Sequence, residues 1–230
     1  MIARLIREWH QFLAERSFYA LALASATALA ALAGRMQLSG SHGYRFLVWN
    51  LFLAWVPYLL ALWADAVYRR APQRWSLPAA LGTLWLLFFP NAPYIVTDFV
   101  HLHPQRGFAW WYDLGLLALF AWSGLFLGLA SLEVMQRMVR AVLGRAASWL
   151  FVLAAGALGG LGVYLGRFLR WNSWDALVAP HDILASLAEV LADPRSLRQA
   201  TGISTLFAAL LLISYVVFVR QSFVVVKAKG

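Results

Sequence analysis

The sequence contains no cysteine, which excludes disulfide scaffolds, thiolate metal ligands and cysteine nucleophiles. Charge is also scarce. Asp, Glu, Lys and Arg make up 13% of the 230 residues, where a soluble domain carries about 25%. So little charge cannot cover a surface in water, and so apolar a chain is neither disordered nor a coiled coil. The HExxH helix, the GxSxG elbow and the GxxxxGK[ST] phosphate loop are absent as well, so no catalytic signature assigns a reaction. What the chain has in abundance is apolar sequence, 62% hydrophobic and 15% aromatic, gathered in long runs. Those runs make it an integral membrane protein.

Six runs are long enough to cross a hydrocarbon layer of about 30 Å, which takes roughly 20 helical residues. They lie near Phe18–Leu38, Phe46–Ala64, Leu77–Val96, Trp111–Leu132, Trp149–Phe168 and Thr201–Arg220. Lipid offers no partner to an unpaired backbone group, and the runs are continuous rather than alternating, so helices are expected and a strand barrel is not. The expected architecture is all-α: a polytopic membrane bundle of six transmembrane helices forming one integral membrane domain over residues 1–230. No internal repeat, linker or low-complexity tract interrupts it.

Lys and Arg set the orientation. With the N-terminus inside, the inner segments hold twelve of the nineteen basic residues, from Arg4 to Lys229. The outer segments hold Arg35, Arg45, Arg106, Arg167, Arg170, Arg195 and Arg198, the last four near Asp175, Asp182, Glu189 and Asp193. Both termini are therefore expected on the cytoplasmic side. The net charge of +9 then suits anionic inner-leaflet lipid and requires no nucleic acid. Within Met1–Arg16, Ile2, Leu5, Ile6, Trp9, Phe12 and Leu13 recur at helical spacing, which predicts an interfacial helix on the inner surface. The following "ALAALAG" resembles a signal-peptide cleavage site. The basic region before it is long, and cleavage would leave an odd number of spans, so the first span is expected to remain.

Uncommon polar residues gather at the outer ends in three places: "FFPNAPYIVTDFVHLHP", "WYD" and "GVYLGRFLRWNSWD". The topology places the end of span three, the start of span four and the end of span five at one depth. Pro90 and Pro93 each remove a backbone donor, which predicts a break in the third helix near Asn91. Asp98 and His101, three apart, share a face if the helix continues, and His103 follows before Pro104. Trp110, Trp111 and Tyr112 suit an aromatic belt. Asp113 sits inside the start of an uncharged span, where an acid has a partner or a task, or answers the positive helix end. Tyr164, Arg167 and Arg170 make one stripe of the fifth helix, with Asn172 and Asp175 beyond it. Two arginines a turn apart can hold a phosphate or carboxylate, or else pair with Asp98, Asp113 or Asp175.

The glycine pairs Gly124/Gly128, Gly156/Gly160 and Gly162/Gly166 predict close packing of the fourth and fifth helices. Between Pro180 and Pro194, Ile183, Leu184, Leu187, Val190 and Leu191 form one apolar face. A short amphipathic helix is expected in this last outer loop, as a connector or a lid near the polar residues.

The strings "PNAPYIVTD" with "HL", then "WYDL", then "YLGRFLRWNSWD" resemble the bacterial membrane-protein family known as domain of unknown function 1361. The resemblance runs from the second span to the loop before the sixth, with no departure from the family pattern. It implies a multi-pass protein of the bacterial cytoplasmic (inner) membrane and supplies no activity, substrate or catalytic residue.

Three functions remain open. In the first, an outer-face enzyme or binding site acts on a lipid head group or a lipid-linked anionic substrate. Asp98, His101 and Asp113 serve there as acid, base or ligands of a divalent metal, while Asn91, Tyr164, Arg167, Arg170, Asn172 and Asp175 bind substrate. In the second, the same residues are an ion-paired clamp in a structural or assembly protein, with a second copy or another membrane protein as partner. In the third, Asp98, Asp113 and the broken helix bind an ion or proton for transport. The site reading is placed first and transport last, because the inner half shows no matching buried acid, base or broken helix.

Overall fold

The computed structural model describes residues 2–102 and 109–227, and it is helical throughout with no strand among them. His103, Pro104, Arg106 and Lys229 lie outside the described residues, as do the side chains of Ile2, Leu5, Arg220 and Lys227. Among the described residues, five helical segments are long and apolar enough to cross a membrane: Phe18–Ser39, Phe46–Arg70, Ser76–His101, Trp110–Phe168 and Pro194–Val219.

The chain opens with α1, Ile2–Ala14. Its Phe12 and Leu13 rest on the core, while Ile6 and Trp9 stay exposed, as an interfacial helix requires. Ser17, at φ 62°, turns the chain into α2, Phe18–Ser39. Next comes α3, Phe46–Arg70, whose Leu47, Leu51, Ala54, Tyr58 and Ala61 form the buried stripe.

The expected third span, Leu77–Val96, is not one helix. Regular α4 covers Ser76–Phe88, a single turn α5 covers Asn91–Tyr94, and Ile95–His101 continues as a 3-10 helix. Pro90 and Pro93 supply the cause, since neither has an N–H to continue the ladder. Asn91 repairs part of the loss by donating its side-chain amide to the Phe88 carbonyl at 2.9 Å. The Tyr94 carbonyl accepts the Thr97 hydroxyl at 2.7 Å.

A loop was also expected between Trp111–Leu132 and Trp149–Phe168. Instead α6 is helical from Trp110 to Phe168, and inside it only Gly144 leaves helical geometry, at φ 82° and ψ −179°. The helix folds back there. Trp85 bonds Ser131 of the first arm (110–143) at 3.1 Å and stacks on Phe151 of the second (145–168) at 5.6 Å. In a straight helix those two residues would stand about 30 Å apart at 1.5 Å per residue. Phe89 likewise approaches both Gly128 and Gly159.

Beyond the second arm, Asp175–Val178 (α7) and Pro180–Ala192 (α8) connect it to the last helix, and α8 is the short helix expected between Pro180 and Pro194. The last helix, α9, begins at Pro194 rather than Thr201 and runs to Lys227. The Asp193 carboxylate fixes that earlier start by accepting the Ser196 N–H at 2.8 Å and its hydroxyl at 2.7 Å.

The glycines admit close neighbours on both arms, and those neighbours are the broken segment and α9. A Cβ on Gly124 would lie 2.8 Å from the Ala92 carbonyl oxygen, and one on Gly162 would lie 2.3 Å from Pro90. A Cβ on Gly160 would lie 2.2 Å from the Ser204 carbonyl oxygen of α9. The broken segment 89–95 is thus wedged between the two arms of α6, and α9 is seated on the second.

The opposite end of the bundle holds a further buried pair. Asp65 is buried and accepts from Arg16, which is 3% exposed; the Arg16 Nε lies 2.9 Å from Asp65 Oδ2. Arg16 also donates to the Phe12 carbonyl at 2.6 Å, and its own carbonyl accepts from the Tyr58 hydroxyl at 2.7 Å. A matched acid and base, absent from the sequence reading, are therefore present at this end. They tie α1 to α3.

Candidate functional site

The polar residues of the outer ends separate into two clusters and a cleft. The first cluster centres on Asp113, 1% exposed in the first turn of α6. Its carboxylate accepts both Arg35 Nε at 2.9 Å and Nη2 at 3.1 Å, and the Arg35 side chain is fully buried. Paired donors from a planar guanidinium are the strongest form of such a contact. The Arg35 guanidinium also lies over the Tyr44 ring, 4.7 Å from its centre. Burial, with the Asp113 charge nearby, pushes the Tyr44 phenol above its ordinary pKa. Beside the pair, the Tyr112 hydroxyl donates to the Ala31 carbonyl at 2.8 Å. Asp113 is thus occupied in joining α2 to α6.

The second cluster surrounds Asp98, 2% exposed on the 3-10 helix. Asn50, near the start of α3, donates its amide to Asp98 Oδ2 at 2.8 Å. The other oxygen, Oδ1, is buried with no hydrogen-bond partner, and the Arg167 Nη1 stands 3.9 Å from it. Arg167 Nη2 lies 3.4 Å from His101 Nε2. The guanidinium has only donors, so this contact presents Nε2 as the acceptor of a neutral ring. Three residues per turn place Asp98 and His101 above one another, and one arginine spans both. The Tyr44 hydroxyl donates to the His101 carbonyl at 3.0 Å and so links the two clusters.

A cleft of about 560 Å³ adjoins the second cluster, between α3, α4, the second arm of α6 and the chain after it. Its inner stretch is apolar, walled by Leu53, Leu86, Leu87, Leu158 and Leu161. Its outer end carries Asn50, Asn91, Tyr94, Asn172 and Ser173. Asn91 donates to the Ser173 hydroxyl at 2.9 Å, which closes the broken helix onto the loop after the second arm. Arg170, at φ 60°, turns that loop back, and the Trp171 N–H reaches the Leu165 carbonyl at 3.1 Å. Ile183 of α8 forms part of the wall, while Leu184 and Leu191 point outward. The amphipathic helix therefore lies over one side of the cleft.

The expected site residues divide accordingly. Asn91 and Asn172 line the cleft, and Asp98, His101 and Arg167 sit together behind Asn50. Arg170 is exposed on the turn. Asp175 accepts from the Asn172 N–H at 2.7 Å and from its amide at 3.1 Å, a local turn contact. Tyr164 is buried in a small separate core with Val190 and Ala200. Asp98, His101 and Asp113 do not form one set of metal ligands, and no group of three such residues occurs among the described residues.

Asn50, Arg35, Tyr44 and Ser173 enter the site without having been singled out from the sequence. Asn50 carried a readable signal as a lone amide within an apolar span. Arg35, one residue after Gly34 at a span end, reads equally well as a side chain reaching for the head groups.

A model of the family described as Protein of unknown function (DUF1361) matches residues 49–217, which include the cleft, Asp98, Asp113 and Arg167. No curated protein and no solved structure matches the chain.

Proposed function

The chain belongs to the family of unknown function DUF1361, and from that premise we propose that it is a multi-pass lipid-binding protein of the bacterial cytoplasmic membrane. It holds the head of one lipid or lipid-linked anionic molecule at the outer end of the bundle. The carrying observation is the cleft itself, apolar along its inner stretch and amide-lined at its outer end. Pockets of roughly 300–1,000 Å³ with an apolar wall and a few placed polar groups are the usual form of a small-molecule site. An amphiphile satisfies both ends at once.

The reading takes six crossings, with the two arms of α6 as separate spans joined at Gly144, and both termini in the cytoplasm. The excess of Lys and Arg on that side supports it. Asn50, Asn91, Asn172 and Ser173 then hydrogen-bond the head, and the adjacent Arg167 and Arg170 favour an anionic one. Asp98 is a positioning residue that orients Asn50 from behind and keeps Arg167 near the cleft. Asp113 belongs to the competing clamp reading, and its two bonds to buried Arg35 favour that structural role for this residue alone.

The test is native mass spectrometry of the purified protein released from membranes into mild detergent. A retained lipid mass is expected, and it is lost in Leu161→Trp, which fills the apolar stretch, and in Asn91→Leu, which removes one amide from the head end. Wild-type protein that carries no lipid and takes none up from added anionic lipid would sink the reading.

A further inference from the structure

The cleft does not end at the middle of the bundle. A second hollow of about 320 Å³ lies along the other half of α4, walled by Trp75, Pro78, Gly82, Met135, Met138 and Phe151. Thr83 and Leu86 border both hollows, so the two lie end to end with those side chains at the junction. The space exists because α4 runs along α3 and meets α6 chiefly through the Trp85 side chain. The thirteen residues of α4 rise about 20 Å, and one leaflet is about half of a 30 Å core, near 15 Å. The groove is therefore longer than a leaflet is thick.

Its chemistry says what fills it. The inner hollow has no charged side chain in its wall. Its one hydroxyl, on Thr83, is already satisfied by the Ala79 carbonyl at 3.1 Å. A second polar head cannot be housed there, which removes a path for carrying heads across the bilayer. Hydrocarbon can be housed, and two methionines give the wall a surface that adapts to an irregular chain. The two tails of a phospholipid leave one head side by side and end near the midplane. Only a single chain longer than a leaflet passes from the amide-lined end through the Thr83–Leu86 junction into the inner hollow.

We propose that the two hollows form one groove for a single-chain lipid of polyprenyl phosphate chemistry, with its head at Asn91 and Asn172 and its tail beyond the midplane. This rests on the lipid-binding reading above and names the class of lipid.

The experiment uses the full chain in nanodiscs and compares farnesyl phosphate with a polyprenyl phosphate several times longer, with dioleoyl phosphatidic acid as competitor. Wild-type protein is expected to prefer the longer chain by about tenfold or more. Gly82→Trp, inside the inner hollow and outside the lining of the first cleft, is expected to abolish that preference while leaving farnesyl phosphate binding unchanged. Asn91→Leu is expected to weaken both. Equal binding of the two lengths, a preference that survives Gly82→Trp, or equal competition by the two-chain lipid overturns the polyprenyl proposal and leaves the head site standing. Failure of every lipid to bind overturns both readings.

Discussion

Arg35 and Asp113, 78 residues apart in sequence, meet through two hydrogen bonds of 2.9 and 3.1 Å with neither side chain reaching solvent. Taking one partner away leaves the other charged, buried and unmatched. Such a loss costs about 3–5 kcal/mol, whereas replacing both by apolar groups of similar volume is often neutral. Asp113→Ala and Arg35→Met should each lower the unfolding midpoint sharply in a detergent-based thermal or denaturant assay. The double variant Arg35→Met/Asp113→Leu should recover most of it. If the single variants unfold like the parent, the pair is not a clamp.

A second tie, at the opposite end, concerns local order. Arg16 holds Asp65 and the Phe12 carbonyl together and stacks over the Phe12 ring at 3.7 Å from its centre. Asp65→Ala removes the acid on which Arg16 and Arg69 converge. Hydrogen exchange should then quicken across α1, with the outer ends of α2 and α6 unchanged. Uniform quickening along the chain would mean that Asp65 supports the whole bundle instead.

Three glycines separate three physical causes. At Gly160 a Cβ would meet the Ser204 carbonyl oxygen at 2.2 Å, so Gly160→Ala should push α9 away and cost about 1–3 kcal/mol. Gly144 has open space around it but sits at φ 82°, so Gly144→Ala should cost about 1–3 kcal/mol through its backbone alone. Gly115 has neither constraint and lies inside α6, so Gly115→Ala should stabilise by about 0.5–1 kcal/mol. Unfolding midpoints of the three variants in one detergent provide the check. A harmless Gly144→Ala would contradict the fold-back placed at that residue.

Most of the helices were legible because apolar runs of span length have no other stable form in lipid. The helix α1, the break at Asn91 and the short helix α8 were also legible, each from a local cause: periodicity, proline chemistry and flanking prolines. The helical turnaround at Gly144 was not. Residues 133–148 carry Glu133, Arg137, Arg140 and Arg145, a composition that reads as an inner loop. Nothing local shows that both arms stay helical up to a turn at the single residue Gly144. At the site, Asp98, Arg167 and Asn91 were marked because they are uncommon in apolar surroundings. Their partners Asn50 and Ser173, and Arg35 opposite Asp113, are set by tertiary packing, and a single sequence carries no record of which helices adjoin. The same limit hid Asp65, whose charge near the end of a span resembles any other boundary residue.

Asn50 links the cleft to the acid behind it, and its role can be separated from that of the other amides in the cleft wall. It lines the cleft and donates to Asp98 Oδ2 at 2.8 Å, while the Oδ1 of the same carboxylate lacks a hydrogen-bond partner. Asn50→Leu therefore strips the remaining side-chain donor from a buried carboxylate, a change of about 1–3 kcal/mol, more where the group is charged. Asn50→Leu/Asp98→Leu removes donor and acceptor together and should be less damaging than either single change predicts. A double-mutant cycle on unfolding should show coupling of roughly 0.5–3 kcal/mol. Arg167 adds a second arm, because its guanidinium stands 3.9 Å from the unpartnered oxygen. The double variant loses one amide of the cleft and the acid beside Arg167 together. Retained lipid, read by native mass spectrometry, should then fall both in Asn50→Leu/Asp98→Leu and in Arg167→Gln. If Arg167→Gln keeps its lipid while the double variant loses it, the carboxylate and not the guanidinium recognises the head, and the bound molecule is cationic or rich in hydroxyls.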